Sequence, residues 1–266
     1  MKKRIIQLLR TLLLLALPAG TLVLLGFASQ SNRAHPCREF RIRVDHSGGS
    51  QFVTTEDLRR AVTLELDSLE GRKIGPGALS RIREVVLSNP FVDRAAVYRT
   101  IGGDLHVEVS QREPILRVVN SRNQGYYLDR GGRMMPLSPA YAARVPVATG
   151  HIAASYSPDT RLSDAEGPAG PKGQEHVLRE LYRLARHIDG DNFWSAFIDQ
   201  VYVTPAGEFE LIPKNGAHTI EFGSTEDMEE KFEKLLFFYR NGLSRVGWGY
   251  YRRVNVKYAK QVVCSK

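Results

Sequence analysis

An apolar run near the start of the chain constrains everything after it. Lys2, Lys3 and Arg4 precede a stretch that is broken only by Gln7 and Arg10 before Ala28, and no second such stretch follows. A spanning helix needs roughly 20 residues. The reading is therefore a cytoplasmic tail over residues 1–4 and a transmembrane helix over residues 5–28, with Arg10 near enough to the inner end to snorkel. A cleaved signal peptide is the rival, but its apolar region is shorter, usually about 7–15 residues. By the charge rule the basic end stays inside and the bulk lies outside the cytoplasm. That predicts a single-pass membrane protein with its bulk outside the cytoplasm.

Composition excludes several classes. The net charge is +8, and four of the positive residues (Lys2, Lys3, Arg4, Arg10) belong to the first ten positions. The remaining cations are scattered, which gives nucleic-acid binding little support. Cys37 and Cys264, the only cysteines, stand at opposite ends of the chain and do not make a disulfide scaffold.

After a juxtamembrane linker over residues 29–37, a first module runs over residues 38–111. Phe40, Ile42 and Val44 alternate with Arg41 and Arg43 as in a strand. Thr54 and Asp57 are spaced to cap a helix reciprocally. Leu79, Ile82, Val85 and Val86 mark a second helix, and two strands follow, the last with Leu105, Val107 and Val109 on one face. Two helices on a three-stranded sheet form a small α+β domain.

A second module runs over residues 112–263, with a tail at 264–266. A hairpin surrounds Gly131-Gly132, and Val145 to Gly150 forms a further segment. The run at residues 155–173 lacks an apolar period and reads as a mobile insertion. Val177, Leu181, Leu184, Ala185 and Ile188 mark a helix, and Asn215-Gly216 is the strongest turn signal in the chain. Ser224 reads as the cap of a helix bearing Phe232, Leu236 and Tyr239, which Asn241-Gly242 stops. The stretch Tyr251 to Val263 reads as one terminal edge strand. Its Val254, Val256 and Tyr258 face one way, and Arg253 and Lys257 the other.

Certain of these runs resemble a known family. Asn89-Pro90-Phe91-Val92, Ala95-Ala96-Val97 and above all Gln111-Arg112-Glu113-Pro114-Ile115 are similar to the POTRA domain of FtsQ/DivIB cell-division proteins. Leu128-Asp129-Arg130-Gly131, Ile220-Glu221-Phe222-Gly223 and Val254-Asn255-Val256-Lys257-Tyr258 follow in that family's order, with Asn255 in place of its usual acid and Lys257 in place of its Arg. The resemblance implies an α+β fold: an N-terminal transmembrane helix, a β-α-α-β-β POTRA domain, and a mixed α/β "β domain" with a terminal edge strand. It also implies a non-enzymatic divisome protein, enriched at the septum, that positions FtsB/DivIC and FtsL, contacts other divisome components, and helps control septal peptidoglycan synthesis. By position, Tyr258, Ala259, Lys260, Gln261 and Val262, with Arg253, Val256 and Lys257, become partner-binding residues. Phe232, Leu236 and Tyr239 become their support.

No catalytic motif, phosphate loop or convergent metal set is legible, so neither enzyme activity, cofactor nor small-molecule ligand is expected. Two alternatives stay open: a POTRA component of envelope assembly or secretion, and a periplasmic peptidoglycan-associated scaffold. An exposed strand edge suits any reading in which function is protein–protein contact, because its unpaired N–H and C=O groups accept another strand. Arg252, Arg253, Lys257 and Lys260 would suit an acidic partner segment.

Overall fold

The computed structural model describes residues 20–21, 36–162 and 174–266. The chain divides into two compact units, the first ending at Gln111 and the second beginning at Arg112.

The transmembrane helix expected over residues 5–28 is corrected here. Among the described residues no helix is long and apolar enough to cross a membrane. The longest described helix has 17 residues and carries Glu180, Arg183 and Arg186 among its apolar positions. Of residues 5–28 only Gly20 and Thr21 are described; the tail at 1–4 and residues 29–35 of the linker also lie outside the described residues. The fold is thus stated without a membrane span. The single-pass membrane topology derived from that helix falls with it.

The first unit contains β1 (Phe40–Asp45), α1 (Thr55–Leu66), α2 (Pro76–Leu87), β2 (Val92–Arg99) and β3 (Leu105–Gln111). Its sheet order is β1-β3-β2, with β1 parallel and β2 antiparallel to β3. The parallel pair requires a long crossover, and α1 and α2 belong to it. Helix α1 begins where the Thr54 hydroxyl accepts from the Asp57 N–H while the Asp57 carboxylate accepts from Thr54. Leu58, Val62, Ile82 and Val86 bury one side of the helices, and Leu105, Val107 and Val109 one face of the sheet. Gln111 finishes this unit. Its buried carboxamide oxygen accepts from the Val53 N–H at 2.9 Å, and its nitrogen donates to the Ser50 carbonyl at 2.8 Å.

The second unit is built on a nine-stranded sheet of order β12-β11-β10-β9-β8-β7-β4-β5-β6. The strands are β4 (Pro114–Val119), β5 (Gly125–Asp129), β6 (Met134–Pro136), β7 (Val147–Gly150), β8 (Ile198–Val203), β9 (Phe209–Pro213), β10 (Thr219–Gly223), β11 (Arg253–Asn255) and β12 (Val263–Ser265). Helices α3 (Gln174–Gly190), α4 (Asn192–Phe197) and α5 (Met228–Phe238) share one core with the strands. Leu181, Trp194, Phe232 and Leu235 join Leu116, Val201, Leu211, Phe222 and Val254 there.

Three local readings change. Ser224 does not cap the helix: α5 begins at Met228 after Asp227 in a left-handed conformation, φ 50°, and the Ser224 carbonyl instead accepts from buried Lys231 at 2.9 Å. Asn241-Gly242 does not stop it, because Tyr239–Leu243 continues as a π-helical turn into a last turn, Ser244–Val246. The terminal stretch is not one strand. It forms β11, bends at residues 258–260, and returns antiparallel as β12.

The Arg112 and Glu113 side chains explain the rest of the Gln111–Ile115 run. Arg112 pairs with Asp129 at 3.4 Å, both nearly buried, and Glu113 pairs with Arg130 at 2.7 Å. Arg130 also meets Asp189 of α3 at 2.9 Å, and that bond holds its guanidinium above the usual arginine range. The run is thus structural throughout.

Candidate functional site

A nine-stranded open sheet has two edges, and the chain treats them differently. The β6 edge is covered at its entry, at residues 132–133. Strand β6 has three residues and ends in proline, which lacks the N–H that ladder growth requires. Arg133 forms a bridge with Arg161, and the Leu162 N–H donates to the Gly132 carbonyl at 2.7 Å. Gly132, φ 76°, is required there because a Cβ would lie 2.1 Å from the Leu162 carbonyl oxygen. Ser157 and Leu162 belong to the expected mobile insertion, yet Leu162 is buried and the Ser157 N–H contacts the Met134 sulfur at 3.2 Å. Residues 163–173 of that insertion lie outside the described residues.

Strand β12 is the opposite edge, and among the described residues β11 is its one neighbour. Cys264 points inward against the core, while Val263 and Ser265 are exposed. Both cysteines are free thiols, and burial pushes the Cys264 thiol above its usual range.

The residues expected to bind a partner mostly converge on the arch between β11 and β12. Tyr258 is 52% exposed, and Ala259, Lys260 and Gln261 are exposed beside it. Val262 is half-buried against the core and Val256 is fully buried, so each anchors the arch from within. Lys260 adopts a left-handed conformation, φ 59°, at the bend. Phe232 and Tyr239 are buried in the core, and Leu236 packs against it. These three lie under the surface. Phe232 stacks with His187 at 4.5 Å and lies 4.8 Å from Trp194, and the Tyr239 hydroxyl sits 2.8 Å from His218 Nε2.

Two expected contact residues are already engaged. Arg253 crosses the polar face of the sheet to Glu221 and to Glu210, the latter at 2.9 Å, and the bond to Glu221 raises its pKa. Lys257 reaches Glu208 at 3.1 Å. Its stem passes over Gly223, φ 77°, where a Cβ would stand 2.8 Å from it. Arg252 and Lys260 remain exposed without a side-chain partner among the described residues.

Sequence reasoning missed several contacts that shape this edge. Trp248 stacks on Tyr239 at 5.5 Å between centroids, and the Lys266 ammonium sits 4.3 Å over the Tyr250 ring. The Asn255 amide donates to Glu221, and its oxygen accepts from the Lys257 N–H at 3.0 Å. Lys234 of α5 donates to the carbonyls of Val256 at 3.1 Å and Tyr258 at 2.6 Å. None of these contacts leaves a periodic signal. Among the described residues no group of three His, Cys, Asp or Glu side chains converges as a metal site. The chemistry on offer at this edge is backbone pairing and surface contact.

The residues that build this sheet, 113–265, match the family model described as FtsQ/DivIB, C-terminal related. The chain belongs to the FtsQ/DivIB family. Residues 35–110 match a POTRA-like domain, in accord with the β1-α1-α2-β2-β3 order of the first unit. The chain is also 23% identical over 222 residues to the Cell division protein FtsQ of Geotalea daltonii, covering 80% of this chain and 74% of that one. Like other FtsQ/DivIB proteins it is a non-catalytic cell-division scaffold.

Proposed function

We propose that this FtsQ/DivIB protein holds an FtsB/DivIC-like coiled-coil partner, and FtsL with it, by accepting a strand of that partner at β12. The observation that carries the reading is the asymmetry of the sheet: residues 161–162 border the entry to β6, while among the described residues no strand pairs with the outer side of β12, which lies next to an arch that exposes Tyr258. A three-residue strand offers few ladder bonds, each worth about 1 kcal/mol net, so affinity requires side-chain anchors as well. Val263 and Tyr258 are the apolar anchors within reach of that edge. Among the described residues Arg252 and Lys260 are exposed cations without a side-chain partner, and they favour an acidic strand. The earlier candidates Arg253 and Lys257 instead act within the sheet, by holding β9, β10 and the arch together.

In this role no bond is made or broken. The protein keeps partners in register and in that way helps control septal peptidoglycan synthesis. Changing Tyr258→Ala tests the reading. The exposed ring is absent from the core, so thermal unfolding should stay within about 0.5 kcal/mol of the parent. Affinity for the FtsB/DivIC-like partner should fall about tenfold, as for an aromatic interface anchor. Unchanged affinity would refute it.

A further inference from the structure

We infer that Lys234 is the positioning residue of the β12 edge: its ammonium clamps the arch between β11 and β12 from beneath. The arch has little else to hold its middle. The Val256 N–H donates to the Glu221 carbonyl at 3.1 Å, and the Lys257 side chain ties to Glu208. From Tyr258 to Gln261 the side chains are exposed, and Lys260 sits in a left-handed conformation. Into this stretch α5 sends one cation. Lys234 Nζ donates to two carbonyls, Val256 at 3.1 Å and Tyr258 at 2.6 Å. Those carbonyls lie on either side of the residue where the strand pattern of β11 gives way to the bend. An ammonium bridging them fixes the direction in which the chain leaves β11 and hence where β12 returns.

The neighbouring lysine shows why this role is particular to position 234. Lys231, one turn earlier, is buried, donates to the Ser224 carbonyl and lies 5.3 Å from the Phe222 ring centroid. Burial lowers its pKa. It fastens α5 to the end of β10, inside the unit. Lys234 is half-buried and acts at the periphery. Charge-assisted bonds to carbonyls are roughly twice as strong as neutral ones. Both acceptors of Lys234 are backbone carbonyls, so any residues that keep the backbone path preserve the clamp. A strand that adds to β12 meets an edge already ordered and does not bear the entropy of ordering it.

The inference rests on the proposed role of β12 only for its consequence in binding. The clamp itself is tested without a partner. In the full chain, Lys234→Met keeps the apolar stem and removes the donors. Hydrogen exchange of amides at 256–265 should then quicken by about tenfold, with β8 and β9 unchanged. Lys234→Arg, which restores donors, should recover much of the protection. Unchanged exchange at 256–265 in Lys234→Met overturns the inference, and so does an equal rise across the whole unit, which would make Lys234 an ordinary stability residue. Affinity for the FtsB/DivIC-like partner gives the second readout. If the arch loosens while affinity holds, the clamp stands and the β12 reading fails.

Discussion

The two edges of the nine-stranded sheet face the same physical problem and solve it in opposite ways. At β6 the chain ends the strand with Pro136, brings Arg161 and Leu162 against Arg133 and Gly132 at its entry, and keeps the Arg112–Asp129 pair nearly buried at the end of β5. At β12 the strand is equally short, but nothing lies along its outer side among the described residues. Its cations and exposed Tyr258 stand where a covering segment would otherwise go. Natural sheets usually blunt an open edge with short strands and positive charge. This edge has both features, which discourage chance pairing while leaving it open to a partner of matching length and charge. Residues on the β6 side should therefore govern stability, and those on the β12 side should govern binding.

The largest effect is expected on the covered side. Arg112→Ala leaves the Asp129 carboxylate buried without its cation, which costs about 3–5 kcal/mol. Denaturant unfolding should show that loss. Under conditions where the variant is still folded, partner affinity should match the parent; a matching loss of affinity would erase the distinction between the edges. Next, ending the chain after Val262 removes β12 and should weaken partner binding by about a hundredfold, with the larger core intact. An equal affinity would move the site elsewhere.

The smallest effect concerns what supports the open edge from below. His218 is buried, its Nε2 faces the Tyr239 hydroxyl, and burial lowers its pKa from 6.5. That hydroxyl is itself held protonated by burial. A lowered folded pKa means that the unfolded chain takes up the proton more readily. The stabilising contribution is full above about pH 6.5 and is lost as pH falls from there through the folded value. His218→Gln should cost about 1 kcal/mol at pH 7.5 and progressively less on acidification. A cost that does not change with pH would show that the ring matters only as packing.

Much of the fold was legible because it is carried by periodicity and caps. Thr54 and Asp57 announced α1, the alternation of Leu105, Val107 and Val109 announced β3, and Asn215-Gly216 announced the turn from β9 to β10. Strand β7 was not read as a strand. Its four residues are too few to show a period, although they sit mid-sheet between β4 and β8. The break between β11 and β12 was hidden for a related reason: Val254, Val256 and Tyr258 keep a strand-like alternation through a bend imposed by tertiary bonds. Tyr258 thus has the spacing of a core residue and the exposure of a surface one. The contacts of Lys234 were illegible in principle, since its partners are backbone carbonyls, which look the same in every sequence. The charges of Arg253 and Lys257 were visible, but their acids lie 32 to 49 residues away, and only the register of β9, β10 and β11 brings them together.

The most direct test of the open edge is a hydrogen-exchange footprint of the full chain with and without a soluble FtsB/DivIC-like partner. Slowed exchange at the β12 amides and across the 258–262 arch, with β6 unchanged, is the expected result. Demonstrable binding that leaves β12 exchanging as fast as in the free protein would contradict strand addition at that edge.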